Sequence, residues 1–138
     1  MKGLPTLIRL RRQELDERRR GLVELEQQEA ELEQQISAVD DEVDHEQKFA
    51  SGADDVRFAY ENFSRAAKVR RELLVEALTA QRALVERARN QVSEAFREFK
   101  KLDIAEQNAQ RRQDEEQERR ERIEMDEIGL EIHRRSNS

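Results

Sequence analysis

The sequence predicts an all-α protein, a long antiparallel two-helix coiled coil (an α-hairpin) with a C-terminal helical overhang. Of its 138 residues, 42% are charged, 36% hydrophobic and 4% aromatic, a composition typical of long helices. Apolar residues recur every seven positions, which is the pattern of a coiled-coil seam. This pattern breaks once, around Gly52, so we expect the chain to fold back there.

The first helix is expected over about residues 5–49. Pro5 suits the first turn of a helix because its φ angle is already helical and its missing N–H is not needed there. Two interleaved sets then supply the a and d positions, with Glu29 as the polar exception. The sets are Ile8, Leu15, Leu22, Glu29, Ile36 and Val43, and Leu4, Leu25, Leu32 and Val39. Because this stripe is too narrow to face a bulky core, it requires a partner helix.

A turn over about residues 50–53 and a second helix over about residues 54–134 should follow. Gly52 can close the first helix in the left-handed conformation, and Ser51 with Asp54 forms a capping pair for the second helix. The expected seam of the second helix is Val56, Tyr60, Phe63, Ala67, Leu74, Ala77, Leu84, Ala88, Val92, Ala95, Phe99 and Leu102. Successive steps of four at 84–88–92 predict a stutter, a local unwinding of the supercoil.

The position of the turn predicts which residues face each other. A bend centred near residue 52 places opposite one another residues whose numbers add to about 103, so Ile8 should lie near Ala95. Glu29 and Arg70 would then lie within about one turn, either as a partly buried pair that fixes the register or with both side chains reaching outward to solvent. Large apolar residues become scarce after Leu102, so residues 1–138 form one hairpin with an overhang.

The charge distribution argues against nucleic acid as a partner. The chain has 26 basic and 32 acidic residues, a net charge of −6. Its basic end, residues 1–20, includes Arg9, Arg11 and Arg12, but its apolar stripe continues through that block, where Glu14 and Asp16 would repel phosphates. The turn end is acidic, with ten acidic residues and one basic residue over residues 21–53.

Other features of the sequence bear on location and chemistry. We expect a cytosolic protein, because there is no apolar run of about 20 residues, no signal-peptide pattern at the N-terminus and no cysteine. Glu42 and His45 have the E-x-x-H spacing of carboxylate-bridged metal sites, but the further ligands that such a site needs are missing. No nucleotide-binding or nucleophile motif occurs, so we expect no cofactor, no metal and no enzymatic activity.

Four of the six aromatic residues lie within 15 positions around the turn. They are Phe49, Phe58, Tyr60 and Phe63. Core packing accounts for Phe63 most simply, whereas a two-helix seam cannot hide all four rings. The others, Phe58 above all, are therefore candidates for a docking patch.

Two short motifs give the chain a family resemblance. Tyr60-x-x-Phe63 follows the turn, and Met125-Asp126-Glu127-Ile128 lies near the C-terminus. In these motifs and in its helix–turn–longer-helix layout the chain resembles the flagellar export stalk proteins, the FliJ family of bacterial type III export. Following Phe63, the family's gate-contact positions hold Ala67, Arg70 and Leu74, which are not the usual residue types, so only Phe63 is carried over.

The resemblance implies a monomeric, non-enzymatic stalk. Its open end would insert into the hexameric flagellar export ATPase and promote ring assembly and activity. Its other surface would contact the cytoplasmic domain of the export gate's membrane protein, at the inner face of the cell membrane, and export chaperones would be further partners. The expected partner-binding residues are Phe58, Tyr60, Phe63, Arg9, Arg11, Arg12, Met125 and Ile128. The alternative is a homodimeric structural or scaffold coiled coil.

Overall fold

The computed structural model describes residues 3–50 and 54–137, and these form two helices. Helix α1 spans Leu4–Phe49 and helix α2 spans Asp54–Ser136. No strand occurs among the described residues, and the two helices pack against each other. The predicted all-α hairpin class is therefore confirmed. Ser51 and Gly52, which were expected to cap and close the turn, lie outside the described residues.

The chain divides into two compact units. The central unit is Glu14–Ala95, and the terminal unit combines Met1–Gln13 with Phe96–Ser138. In the central unit the helices run antiparallel. Glu42, late in α1, pairs with Arg70, early in α2, whereas Arg18, early in α1, pairs with Gln91, later in α2. No helix among the described residues is both long and apolar enough to cross a membrane.

The α1 side of the seam is as the sequence predicts. Every a and d residue named above on α1 is buried or half-buried, including Glu29. The most buried of them in the central unit are Leu15 and Val39. The seven-residue repeat was sufficient here because large apolar side chains mark nearly every turn.

Around the middle of α2, the prediction of which residues face the seam is wrong by one position. Leu78 and Val85 are buried, whereas Leu84 is 43% exposed and Ala77 is also exposed. The inward-facing positions run through residues 67, 74, 78, 81, 85, 88, 92 and 95, an unbroken alternation of three- and four-residue steps from residue 74 onward. There is thus no stutter at 84–88–92.

Gln81 explains this error. It occupies a seam position on α2 but is polar, so the sequence pattern favoured its apolar neighbour Leu84 instead. The Gln81 side chain donates one hydrogen bond to the Leu25 carbonyl oxygen at 2.9 Å and another to Oε1 of Gln28 at 3.0 Å. The partly buried amide is therefore satisfied by α1, as a polar residue inside a seam must be.

The predicted register is also wrong. Asp40 pairs with Arg71, whereas the predicted turn near residue 52 would place residue 63 opposite Asp40. Glu33 pairs with Arg82 instead of lying opposite residue 70. Taken together, the contacts between the helices displace the register by about two helical turns along α2. In this register the inward-facing apolar residues of both helices form one seam, with Ala67 as the first buried residue on α2.

This displacement removes the expected Glu29–Arg70 pair. Nη2 of Arg70 donates instead to Oε2 of Glu42 at 3.2 Å, and both side chains are about half exposed. An ion pair as exposed as this one contributes little to stability. Glu29 lies half-buried in the α1 stripe.

The terminal unit has a small seam of its own. Leu4 and Ile8 are buried, and Phe99 and Leu102 of α2 are half-buried. The Arg12 guanidinium lies over the Phe99 ring, 5.2 Å from its centroid, in a cation–π contact. Beyond Glu106, every described residue of α2 except Glu116 is exposed.

Candidate partner-binding surfaces

The aromatic residues near the turn divide into exposed and half-buried members. Phe58 is 63% exposed and Phe49 is similarly exposed, whereas Tyr60 and Phe63 are half-buried. The His45 ring packs edge-on against Phe49, with 4.9 Å between the ring centroids. This arrangement matches the expectation that the seam hides only part of the aromatic cluster. The exposed rings leave an apolar surface available to a partner.

Phe63 borders a shallow groove of about 460 Å³ with an acidic rim. The other lining residues, all on α1, are Ala38, Asp41, Glu42, His45 and Glu46. An aromatic ring beside several carboxylates suits a partner surface that combines apolar and basic side chains. Glu42 and His45, which have the E-x-x-H spacing, both line this groove, and no cluster of three metal-ligating side chains occurs in the described part of the chain.

The three arginines of the basic end are not equivalent. Arg9 is exposed on α1, and Arg11 is half-buried. Arg12 is exposed but already engages Phe99 within the terminal unit. Of the three, Arg9 is therefore the arginine most accessible to a partner, and Arg12 also holds the two helices together.

Near its C-terminus α2 carries large apolar residues that are all exposed. Met125, at 69%, shares a face with Ile128 and Ile132, because the spacing is three and four residues. Ile123 and Leu130 are seven residues apart and lie on the opposite face. Met125 and Ile128 were singled out from the sequence, whereas the second face was missed. Its signal was the i, i+7 spacing of Ile123 and Leu130.

A wholly polar stretch, residues 110–122, precedes these apolar faces. Arg119 donates to Oε1 of Glu116 at 2.9 Å, and Arg120 lies 3.4 Å from the same oxygen. The hydrogen bond and the charge of Arg119 lower the pKa of the Glu116 carboxyl and raise the pKa of the guanidinium. Such three- and four-residue pairs support a helix that has no packing partner.

The lowered pKa gives a direct prediction for Arg119→Gln. Without the guanidinium, the pKa of Glu116 should rise toward its ordinary value, which carbon-detected NMR titration of the carboxyl measures. The stabilising contribution of the pair is present above the ordinary glutamate pKa and is lost as the pH falls through the lowered pKa. Arg135→Gln is the control, because it removes an arginine that pairs with Glu131 and should leave the titration of Glu116 unchanged. An unchanged pKa in Arg119→Gln would contradict the pairing.

Comparison with known proteins identifies the family. The family model for the flagellar FliJ protein matches residues 1–138, the whole chain. Searches of curated proteins and of solved structures return no match. The family has an export-related structural role and is not a known enzyme family. The chain belongs to the flagellar FliJ protein family, and its role is in flagellar protein export.

Proposed function

We propose that this chain is a non-enzymatic stalk of the flagellar export apparatus. Its terminal unit inserts into the hexameric export ATPase, promotes assembly of the ring and raises its activity. The aromatic surface of its central unit binds the cytoplasmic domain of the export gate's membrane protein and so links ATPase and gate. The chain would act in the cytoplasm at the inner face of the membrane, with export chaperones as further partners.

One observation carries the ATPase part of this proposal. The last turns of α2 expose large apolar side chains on two opposite faces, Ile128 on one and Leu130 on the other. A flat docking surface can cover only one face of a helix, whereas a pore covers all faces at once. Arg9 adds positive charge that an acidic pore lining would attract.

A pore formed by six like subunits also supplies a mechanism. A single helical stalk has no sixfold symmetry, so its apolar faces contact the six subunits unequally. Contacts that favour one conformation of the nearest subunits shift the populations of the ring. Hydrolysis belongs to the ATPase, and this chain supplies the differential contacts.

Steady-state hydrolysis by the cognate export ATPase tests this mechanism. We expect the full chain to stimulate turnover. The double variant Ile128→Asp, Leu130→Asp should raise the chain concentration needed for half-maximal stimulation at least about tenfold, because both faces lose apolar contact. The control is Gln113→Glu, an exposed change in the polar stretch, which should keep wild-type stimulation. Absence of stimulation by the full chain, or equal stimulation by the double variant, would refute insertion.

Calorimetry with the gate's cytoplasmic domain tests the second contact. Phe58→Ser should weaken binding about tenfold or more, because an exposed aromatic anchor is lost. Val23→Ser removes another exposed apolar side chain of the central unit and should leave the affinity unchanged. Equal effects of the two substitutions would show that the aromatic surface has no special role.

The intramolecular seam favours a monomer over the alternative scaffold dimer. The interhelical ion pairs and the Gln81 hydrogen bonds join residues of one chain, so the apolar stripe is used within the molecule. Light scattering should give the monomer mass of about 16.4 kDa. A stable dimer mass would support the scaffold function instead.

A further inference from the structure

The seam of the central unit has two unlike sides. On one side, carboxylates spaced seven residues apart on α1 pair with arginines of α2. These pairs are Glu26 with Arg89 at 3.8 Å, Glu33 with Arg82 at 3.3 Å, and Asp40 with Arg71 at 2.8 Å. Charged pairs of this kind line one edge of many antiparallel coiled coils and keep that edge hydrated. We call it the charged edge.

The opposite side contains a groove of about 470 Å³ with a largely apolar lining. A second groove lies on the charged edge, where Asp40 and Arg71 line it. Val39 borders both grooves, so it lies between them. The remaining lining residues are Gln35, Ala38, Glu42, Arg70, Leu73 and Leu74. The side of the seam that carries Leu73 is therefore distinct from the side that carries the ion-pair series.

An exposed apolar stripe continues from this groove along α2. It consists of Leu73, Ala77, Ala80 and Leu84, and we call it the outer stripe. Steps of four, three and four residues place all four side chains on one helix face, with the spacing of a coiled-coil seam. Leu73 is 62% exposed, and the central alanines leave space for larger side chains from another helix.

The charges beside the outer stripe are mainly acidic. Glu31 and Glu24 lie seven and fourteen residues before Ala38 on α1, so they share its face and border the stripe. Glu76 lies next to Leu73 on α2. Residues 21–47 of α1 and residues 72–81 of α2 contain no lysine or arginine, and Arg71 and Arg82 are paired on the charged edge. The two arginines that continue the face of the stripe lie at its ends: Arg70, three residues before Leu73, pairs with Glu42, and Arg87 follows Leu84 by three residues.

We propose that the outer stripe binds a basic amphipathic helix of a partner protein as a third helix of a coiled coil. Large apolar residues of that helix, spaced three and four apart, fill the space over Ala77 and Ala80. Its flanking lysines or arginines meet Glu24, Glu31 and Glu76. The four residues of the outer stripe are distinct from the exposed rings of Phe49 and Phe58 and from the apolar faces near the C-terminus, although the groove at Leu73 shares Ala38 and Glu42 with the groove beside Phe63.

The same charges disfavour a second copy of this chain as the occupant. A twofold contact through the outer stripe would bring together two sets of glutamates, whereas the two arginines of this face, Arg70 and Arg87, lie only at its ends and Arg70 is already paired with Glu42. Like charges held close together at an interface oppose association. A heterologous helix with basic flanks removes this repulsion and supplies basic charges along the middle of the stripe.

Two designed helical peptides test the proposal. Both contain about three heptads with leucine at the a and d positions, but one carries lysine and the other glutamate at the flanking positions. In fluorescence anisotropy with the full chain, the lysine peptide should bind at least about tenfold more tightly than the glutamate peptide. Its affinity should also fall as the salt concentration rises.

Substitutions in the chain locate the peptide. Leu73→Glu with Leu84→Glu should abolish binding, and circular dichroism verifies that these exposed positions leave the fold intact. The double variant Glu24→Gln, Glu31→Gln should lower the affinity for the lysine peptide about threefold or more and reduce the salt dependence of that affinity. The matched control is Asp44→Asn, which changes a carboxylate that lines the charged-edge groove and should have no effect.

Three outcomes would overturn the proposal. The first is equal affinity for the two peptides, and the second is unchanged binding by the folded Leu73→Glu, Leu84→Glu variant. The third is a concentration-dependent dimer of the chain alone that this variant abolishes in sedimentation velocity, because it would assign the outer stripe to a second copy.

Discussion

Replacing Val85 with Asp is expected to unpair the helices of the central unit. Val85 is only 1% exposed and is the largest fully buried side chain among the described residues. The substitution places a carboxylate in the seam without a basic partner, at a cost of about 3 kcal/mol or more. Thermal and urea unfolding followed by circular dichroism should show a large loss of stability, because the narrow seam has few other apolar contacts.

Leu84→Asp is the matched control for this substitution. It introduces the same side chain one residue earlier, at a position that the simplest sequence pattern assigned to the seam but that is 43% exposed. The expected change in unfolding free energy is within about 0.5 kcal/mol, as for ordinary surface substitutions. If Leu84→Asp destabilised the chain as much as Val85→Asp, the inward-facing phase of α2 would be wrong.

Replacing Gln81 with Leu is expected to make the hairpin more stable but less uniquely aligned. The substitution removes a polar side chain from the seam and buries an apolar one, for a gain of about 1 kcal/mol. It also removes the hydrogen bonds to the Leu25 carbonyl and to Gln28, which are satisfied only in this register. A polar seam residue commonly fixes coiled-coil alignment at some cost in stability.

Urea unfolding and spin-label distance distributions measure the two effects of Gln81→Leu separately. The unfolding midpoint should rise, and the distance distribution across the central unit should broaden. Gln91→Leu is the control, because Gln91 is exposed and its side-chain oxygen accepts a hydrogen bond from the exposed Arg18 side chain. A lower midpoint together with an unbroadened distribution in Gln81→Leu would contradict this role.

The α1 seam could be predicted from the sequence, but the register could not. On α1, leucine, isoleucine or valine marks nearly every seam position, so the heptad pattern alone identifies the buried face. On α2, the polar Gln81 shifts the apparent pattern to Leu84. The pairing of Asp40 with Arg71 depends on burial summed along both helices, which no local pattern records.

The candidate surfaces were predictable to different degrees. Exposure of Phe58 follows from an excess of aromatic residues over what a two-helix seam can hide. The second apolar face near the C-terminus, at Ile123 and Leu130, becomes evident only when α2 is known to remain helical to Ser136. The outer stripe could be recognised as a candidate site only once the register was known, because the register determines which charges lie beside it.

The most direct test of the hairpin register is a comparison of two intramolecular distances. The chain has no cysteine, so Glu33→Cys can be combined with either Arg82→Cys or Arg70→Cys and labelled with nitroxides. Dilution with unlabelled chain keeps the measured distances within one molecule. The structure predicts a clearly shorter distance for 33–82 than for 33–70, because the two α2 sites are about 18 Å apart along the helix. A shorter distance for 33–70, or long distances for both pairs, would contradict the register on which the seam and the outer stripe depend.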